Sequence, residues 1–123
     1  MTPKALEKFA MSLPGTTRVV QWGGNHVFKV GGKMFAIIGP PENRMRGLLF
    51  KAGEASYAIL TKQKGIEPAP YLARAKWVRL EKLSALTDKE LKAYVTRAHA
   101  MIAAALPKKT RASLGIAEAN PFL

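Results

Sequence analysis

The run from Trp22 to Gly39 constrains the fold more than any other part of the chain. Gly31-Gly32 supplies the positive φ angles that a two-residue hairpin turn requires, and the residues on either side read as strands. A second tight turn is marked by Gly23-Gly24-Asn25. Two consecutive hairpins make an antiparallel β-meander, with strands expected at Thr17–Trp22, His26–Val30 and Lys33–Ile38. Simple pairing across Gly31-Gly32 sets Val30 opposite Lys33, Lys29 opposite Met34, Phe28 opposite Phe35 and Val27 opposite Ala36. The face carrying Phe28 and Phe35, joined by Val20 and Trp22, is then the expected core. The face carrying Lys29, Val19 and Gln21 is expected to stay partly open.

The flanks supply helices and further strands. Thr2-Pro3 fits an N-cap followed by proline in a first helical turn, and Leu6, Phe9, Ala10 and Leu13 fall on one helical face until Pro14-Gly15 ends it. Pro40 to Gly47 reads as a loop projecting Arg44 and Arg46, returning into a fourth strand at Leu48–Lys51. Gly53-Glu54 opens a short helix expected to reach about Lys64 before Gly65, and Pro68-Ala69-Pro70 forces an extended or turned path into Tyr71. Lys76–Leu80 is a fifth strand. Thr87-Asp88-Lys89-Glu90 has the spacing of a capping box, after which Leu91, Tyr94, Val95, Ala98, Ile102 and Leu106 form an apolar helical stripe ended by Pro107. The expected fold is therefore α+β: a two-layer sandwich, with an antiparallel meander sheet of about five strands and the N- and C-terminal helices packed on one face. The domain is assigned to residues 1–107, and 108–123 to a basic C-terminal tail with a short helical turn near Ala112–Leu114.

Composition narrows the function. A chain of 123 residues is long enough for one unstapled core, and having no cysteine it has neither disulfides nor thiolate chemistry. That composition fits a reducing compartment, so the cytoplasm is the expected location, with no membrane-spanning run. Twenty Lys and Arg against eight Asp and Glu leave a formal charge of +12, which favours a polyanionic partner.

Catalytic chemistry is thin. Asp88 is the sole aspartate and lies in a helix cap, while His26 and His99 have no carboxylate or histidine at metal-ligand spacing and read as surface or boundary residues. Gly31-Gly32-Lys33 has the look of a phosphate loop, but Met34 stands where the metal-binding hydroxyl would be. No enzyme, cofactor or metal site is expected. Basic residues, by contrast, recur through the sheet region, and those expected to grip phosphates are Lys29, Lys33, Arg44, Arg46, Lys51, Arg74, Lys76 and Arg79. Phe9, Phe28, Phe35 and Phe50 fit the core, and Trp77, between Lys76 and Arg79, fits the core or its rim better than a stacking platform.

Several segments taken together, Leu13-Pro14-Gly15-Thr16-Thr17, Trp22-Gly23, Val27 to Ala36, Ala69-Pro70-Tyr71-Leu72 and Lys76-Trp77-Val78, resemble the MmcQ/YjbR family. The resemblance runs from the first helix to Leu106-Pro107-Lys108-Lys109, with Arg111 to Leu123 outside it. It implies a double-wing, CyaY-like α+β fold and DNA as partner, and it carries over no catalytic residue. Iron binding of the frataxin kind is not expected, because it needs an acidic ridge that this chain lacks. The leading expectation is a non-enzymatic nucleic-acid-binding domain, with DNA as the ligand, acting as a monomer or weak dimer. The alternative from another class is an adaptor or chaperone-like domain that binds an acidic protein through the open sheet face or an edge. A third, a small-molecule binder, would need a concave pocket near His26, Tyr71 or Trp77.

Overall fold

Local chemistry starts each helix where the sequence places it. In the computed structural model, which describes residues 1–116, helix α1 spans Pro3–Met11 and the Thr2 hydroxyl accepts from the Ala5 N–H at 3.1 Å. Helix α3 spans Asp88–Ala104, with the capping box closed both ways: Glu90 N–H donates to the Thr87 hydroxyl, and Thr87 N–H to the Glu90 carboxylate. Helix α2, Glu54–Leu60, stops short of its expected end, because beyond Thr61 the i→i−4 ladder gives way to i→i−3 turns, Lys62 N–H donating to the Ile59 carbonyl and Gln63 N–H to that of Leu60. The segment after Pro107 forms α4, Lys108–Ser113, and Leu114 and Ile116 beyond it pack against the core. The remainder of the expected tail, 117–123, lies outside the described residues.

The strands are β1 Thr16–Gln21, β2 Asn25–Val30, β3 Lys33–Gly39, β4 Gly47–Lys51, β5 Ile66–Pro68 and β6 Trp77–Leu80. They form one antiparallel sheet of six strands in the order β1-β2-β3-β4-β6-β5, covered by helices on one face, so the α+β expectation holds. The extra strand is β5. Its Pro68 can sit there because an edge strand has an unpaired side, where a missing N–H breaks no ladder.

The register of the central hairpin corrects the simple pairing. Val30 faces Lys33 and Lys29 faces Met34 as expected, but the register then shifts, so Phe28 faces Ala36 and Val27 faces Ile37. Phe35 is the extra residue of a β-bulge. The bulge lets consecutive Phe35 and Ala36 both enter the helix-side core while sending Ile37 to the other face. The first turn also differs. Gln21 pairs with Asn25, which leaves Trp22-Gly23-Gly24 as the loop and turns Trp22 out of the strand at φ +50° instead of onto the Phe28 face.

On the helix side, Leu6 and Ala10 of α1, Leu60 of α2, and Leu91, Val95 and Ala98 of α3 pack on Phe28, Phe35 and Phe50. His99 belongs to this layer rather than the surface: it is buried, its ring meets Phe35 edge-on, and its Nε2–H donates to the Pro14 carbonyl at 2.7 Å. His26 stays at the boundary, its Nδ1 2.7 Å from the Glu7 carboxylate, which also accepts from Arg18 at 2.6 Å. Burial works to raise the Glu7 pKa, but the hydrogen bonds from Arg18 and His26 outweigh it and hold the carboxyl below its ordinary value. Val20 shares the helix face but is exposed, because β1 is an edge strand.

Candidate binding face

The second face is not bare. Val27, Ile37, Leu49 and Trp77 form a smaller buried cluster, roofed by Met45 from the β3–β4 loop and Ala69 from the β5–β6 connection, with Met34 and Leu72 packed at its margin. Trp77 is thus a core residue. Glycine makes the loop's tight return possible: a Cβ on Gly39 would overlap the Met45 carbonyl, and one on Gly47, at φ +85°, would overlap that of Leu80. Within the loop the Asn43 side chain accepts from the Met45 N–H at 2.9 Å and donates to the Trp22 carbonyl at 2.7 Å. Two loops distant in sequence are thereby locked together.

Arg79 fastens the same loop from below. Its Nη1 donates to the Arg44 carbonyl at 2.7 Å, while Nε and Nη2 both donate to Glu67 Oε1, at 3.0 and 2.6 Å. With its guanidinium buried and committed to these partners, Arg79 is an internal strut and does not belong among the phosphate contacts expected from sequence. Arg46 is separated from Arg44. It donates to Glu81 at 2.6 Å and lines a depression with Met1, Pro3 and Ile38, on the helix side of the loop.

What remains above the small cluster is an apolar groove of about 460 Å³, lined by Trp22, Met34, Asn43, Arg44, Met45, Tyr71 and Leu72. Trp22 is 54% exposed and Tyr71 71%. Both have left-handed backbones, at φ +50° and +66°, which bulky residues adopt only at an energetic cost. Arg44 Nη1 donates to the Tyr71 hydroxyl at 2.6 Å, joining a cation to the aromatic wall. The strand pattern places Trp22 on the Phe28 face, and nothing in the sequence pairs it with Tyr71. The available signal was the glycine pair after Trp22, which ends the strand one residue early.

The other candidates divide by position. Lys29 lies across from Met34 at the groove's margin, and Lys51 on β4 donates to the Ala75 carbonyl at 3.0 Å. Arg74 is exposed on the short 3-10 helix Ala73–Ala75, which follows Leu72 over this face. Lys33 sits at the far end of the sheet beside Gly31-Gly32, and Lys76 turns its ammonium over the Tyr57 ring of α2 at 4.8 Å. Of the eight, only Arg46 and Arg79 have a carboxylate within 4.0 Å among the described residues. The structure therefore gathers Lys29, Arg44, Lys51 and Arg74 on or around the second face. Among the described residues no three His, Asp or Glu side chains converge as metal ligands, and no helix is long and apolar enough to cross a membrane.

The YjbR family model matches residues 11–101, from the end of α1 into α3 and across the entire sheet. The chain belongs to the YjbR family. A crystal structure of the Deinococcus radiodurans protein DR2400, whose domain is described as DUF419, superposes on this YjbR chain with a TM-score of 0.80. The similarity covers 98% of this chain and 92% of that one at 20% sequence identity, and it shows a shared fold. No curated protein matches the YjbR chain in sequence.

Proposed function

We propose that this YjbR domain is a non-enzymatic nucleic-acid-binding module that grips phosphates through its second sheet face, with DNA as the ligand, in the cytoplasm, as a monomer or weak dimer. One observation carries the reading: Arg44 lines an exposed groove walled by two aromatic rings, and Lys29, Lys51 and Arg74 lie on or over the same sheet face, none of the four with a carboxylate within 4.0 Å among the described residues. Cations of this kind displace condensed counterions from phosphate, and aromatic rings offer stacking surfaces. Lysines on α1 and α3 add to the overall field that steers a polyanion inward.

The test is fluorescence anisotropy with labelled DNA over a salt series. The four cations predict that log K falls with log salt with a slope of roughly −3 to −4, at about −0.9 per phosphate on duplex and −0.7 on single strands. Flat salt dependence, or no binding at low salt, would defeat the proposal.

A second reading is favoured by β1. This edge strand pairs only with β2 and exposes Val19 and Val20, so an extended acidic segment of a partner protein could add to it by main-chain hydrogen bonds. Calorimetric binding of an acidic peptide, abolished by a proline at Val19, would support that reading. Failure of such peptides to bind would remove it.

A further inference from the structure

We infer that the groove between Trp22 and Tyr71 receives one unstacked base, so that this face selects single-stranded nucleic acid over duplex. The inference rests on the nucleic-acid reading above and adds to it the form of ligand and the residues that distinguish it.

Large aromatic side chains are ordinarily buried, yet Trp22 and Tyr71 are held outward by backbones in the left-handed region. Both are also tied in place. The Trp22 carbonyl accepts from Asn43 at 2.7 Å, and the Tyr71 hydroxyl accepts from Arg44 at 2.6 Å. Such ties reduce the ordering that binding would otherwise require.

Between the rings, Met34, Met45 and Leu72 provide an apolar floor, and the volume of about 460 Å³ lies within the range of small-molecule sites. A flat heteroaromatic ring suits that floor, since methionine sulfur and aromatic faces are polarisable partners. Charge then selects among flat ligands. Arg44 stands in the wall and Lys29 lies across from Met34, so an occupant is expected to carry anionic groups beside its ring. A nucleotide within a strand has both. In a duplex the base faces are stacked on one another and inaccessible, whereas a single strand presents them. Phosphate-gripping lysines bind either form, but this groove is useful only to the second.

The experiment compares a labelled oligothymidylate with a duplex of equal length, using the full chain and the variants Trp22→Ala, Trp22→Phe, Tyr71→Ala and Arg44→Ala. Thermal melts verify that each variant is folded. The expected result is tighter binding of the single strand by about fivefold or more, with quenching of Trp22 emission over a constant background from buried Trp77. Trp22→Ala and Tyr71→Ala should each weaken single-strand binding about tenfold, as loss of a stacking platform does, and leave duplex binding unchanged. Trp22→Phe should retain most of the affinity, and Arg44→Ala should weaken both forms.

Equal, salt-dependent binding of both forms, unaffected by Trp22→Ala and Tyr71→Ala, would overturn the inference while leaving the phosphate-gripping proposal intact. Binding of neither form would overturn both. Occupation of the groove by an aromatic peptide that oligothymidylate does not displace would overturn the inference as well.

Discussion

On one side of the sheet, α1 and α3 lay apolar stripes onto Phe28, Phe35 and Phe50, α2 adds Leu60, and together they seal them; on the other, two loops cover Val27, Ile37, Leu49 and Trp77 and stop short of the margin. A helix presents an apolar side chain every third or fourth residue, so it can exclude water along its whole length. A loop must spend side chains on its own backbone, as Asn43 does, and contributes one anchor at a time, such as Met45 or Leu72. Both faces bury their central side chains, and the helix-covered one holds the larger cluster. At the margin of the second the loops leave exposed rings, a groove and cations without a carboxylate partner among the described residues.

The largest contrast between the faces is thermodynamic. Phe50→Ala, in the helix-covered layer, should cost about 3–5 kcal/mol in denaturant unfolding, whereas Trp22→Ala at the groove should remain within roughly 0.5 kcal/mol of the parent. A loss above 2 kcal/mol for Trp22→Ala would make that residue structural and erase the distinction. Next is the loop's seating. Gly39→Ala forces the β3–β4 loop away from β3, so it should cost about 1–3 kcal/mol and shift Trp22 emission, because Asn43 links that loop to the Trp22 carbonyl. Unaltered emission would show that the two loops are not coupled.

A comparable or smaller loss, about 1–3 kcal/mol, is expected for Glu67→Gln, which weakens the charge-assisted bonds to buried Arg79. Nucleic-acid affinity should change less in this variant than in Arg44→Ala, since Arg79 is a strut.

The smallest effect is on the helix side and depends on pH. Burial lowers the His99 pKa below 6.5, partly opposed by the Pro14 carbonyl that favours the protonated ring. The unfolded chain therefore takes up the proton first. The His99 contribution is full above the unfolded pKa, is lost as pH falls through that value, and levels off beneath the folded one. Unfolding free energies measured at about pH 7.5 and 5.5 should decline more in the parent than in His99→Asn. Equal declines would remove His99 as their source.

The difference between the faces also explains what could be read from sequence. Thr2, the Thr87–Glu90 box and Gly31-Gly32 act within a few residues of themselves, so their structures follow from adjacent chemistry. The bulge at Phe35 could not be read that way: it answers a requirement of the assembled core, that Phe35 and Ala36 both be buried on the helix side. Arg79 looked like a surface cation because its partner Glu67 meets it only once β5 pairs with β6. Of the candidate site, the loop bearing Arg44 and the basic strands were legible. The groove was not, because its walls come from Trp22 and Tyr71, far apart in sequence and brought together by Asn43 and Arg44.

The claim that binding belongs to the loop-covered face is tested most directly by two charge-reversal pairs with the same change in net charge, Arg44→Glu with Arg74→Glu and Lys4→Glu with Lys89→Glu. All four residues are exposed, the first two by the second face and the other two on α1 and α3. Their affinities for oligothymidylate should be compared at one fixed low salt concentration. The first pair should abolish measurable binding, while the second leaves it within about threefold of the parent, the residual change expected from the overall field. Equal losses in both pairs would contradict the account, since the chain's positive charge would then act without regard to face.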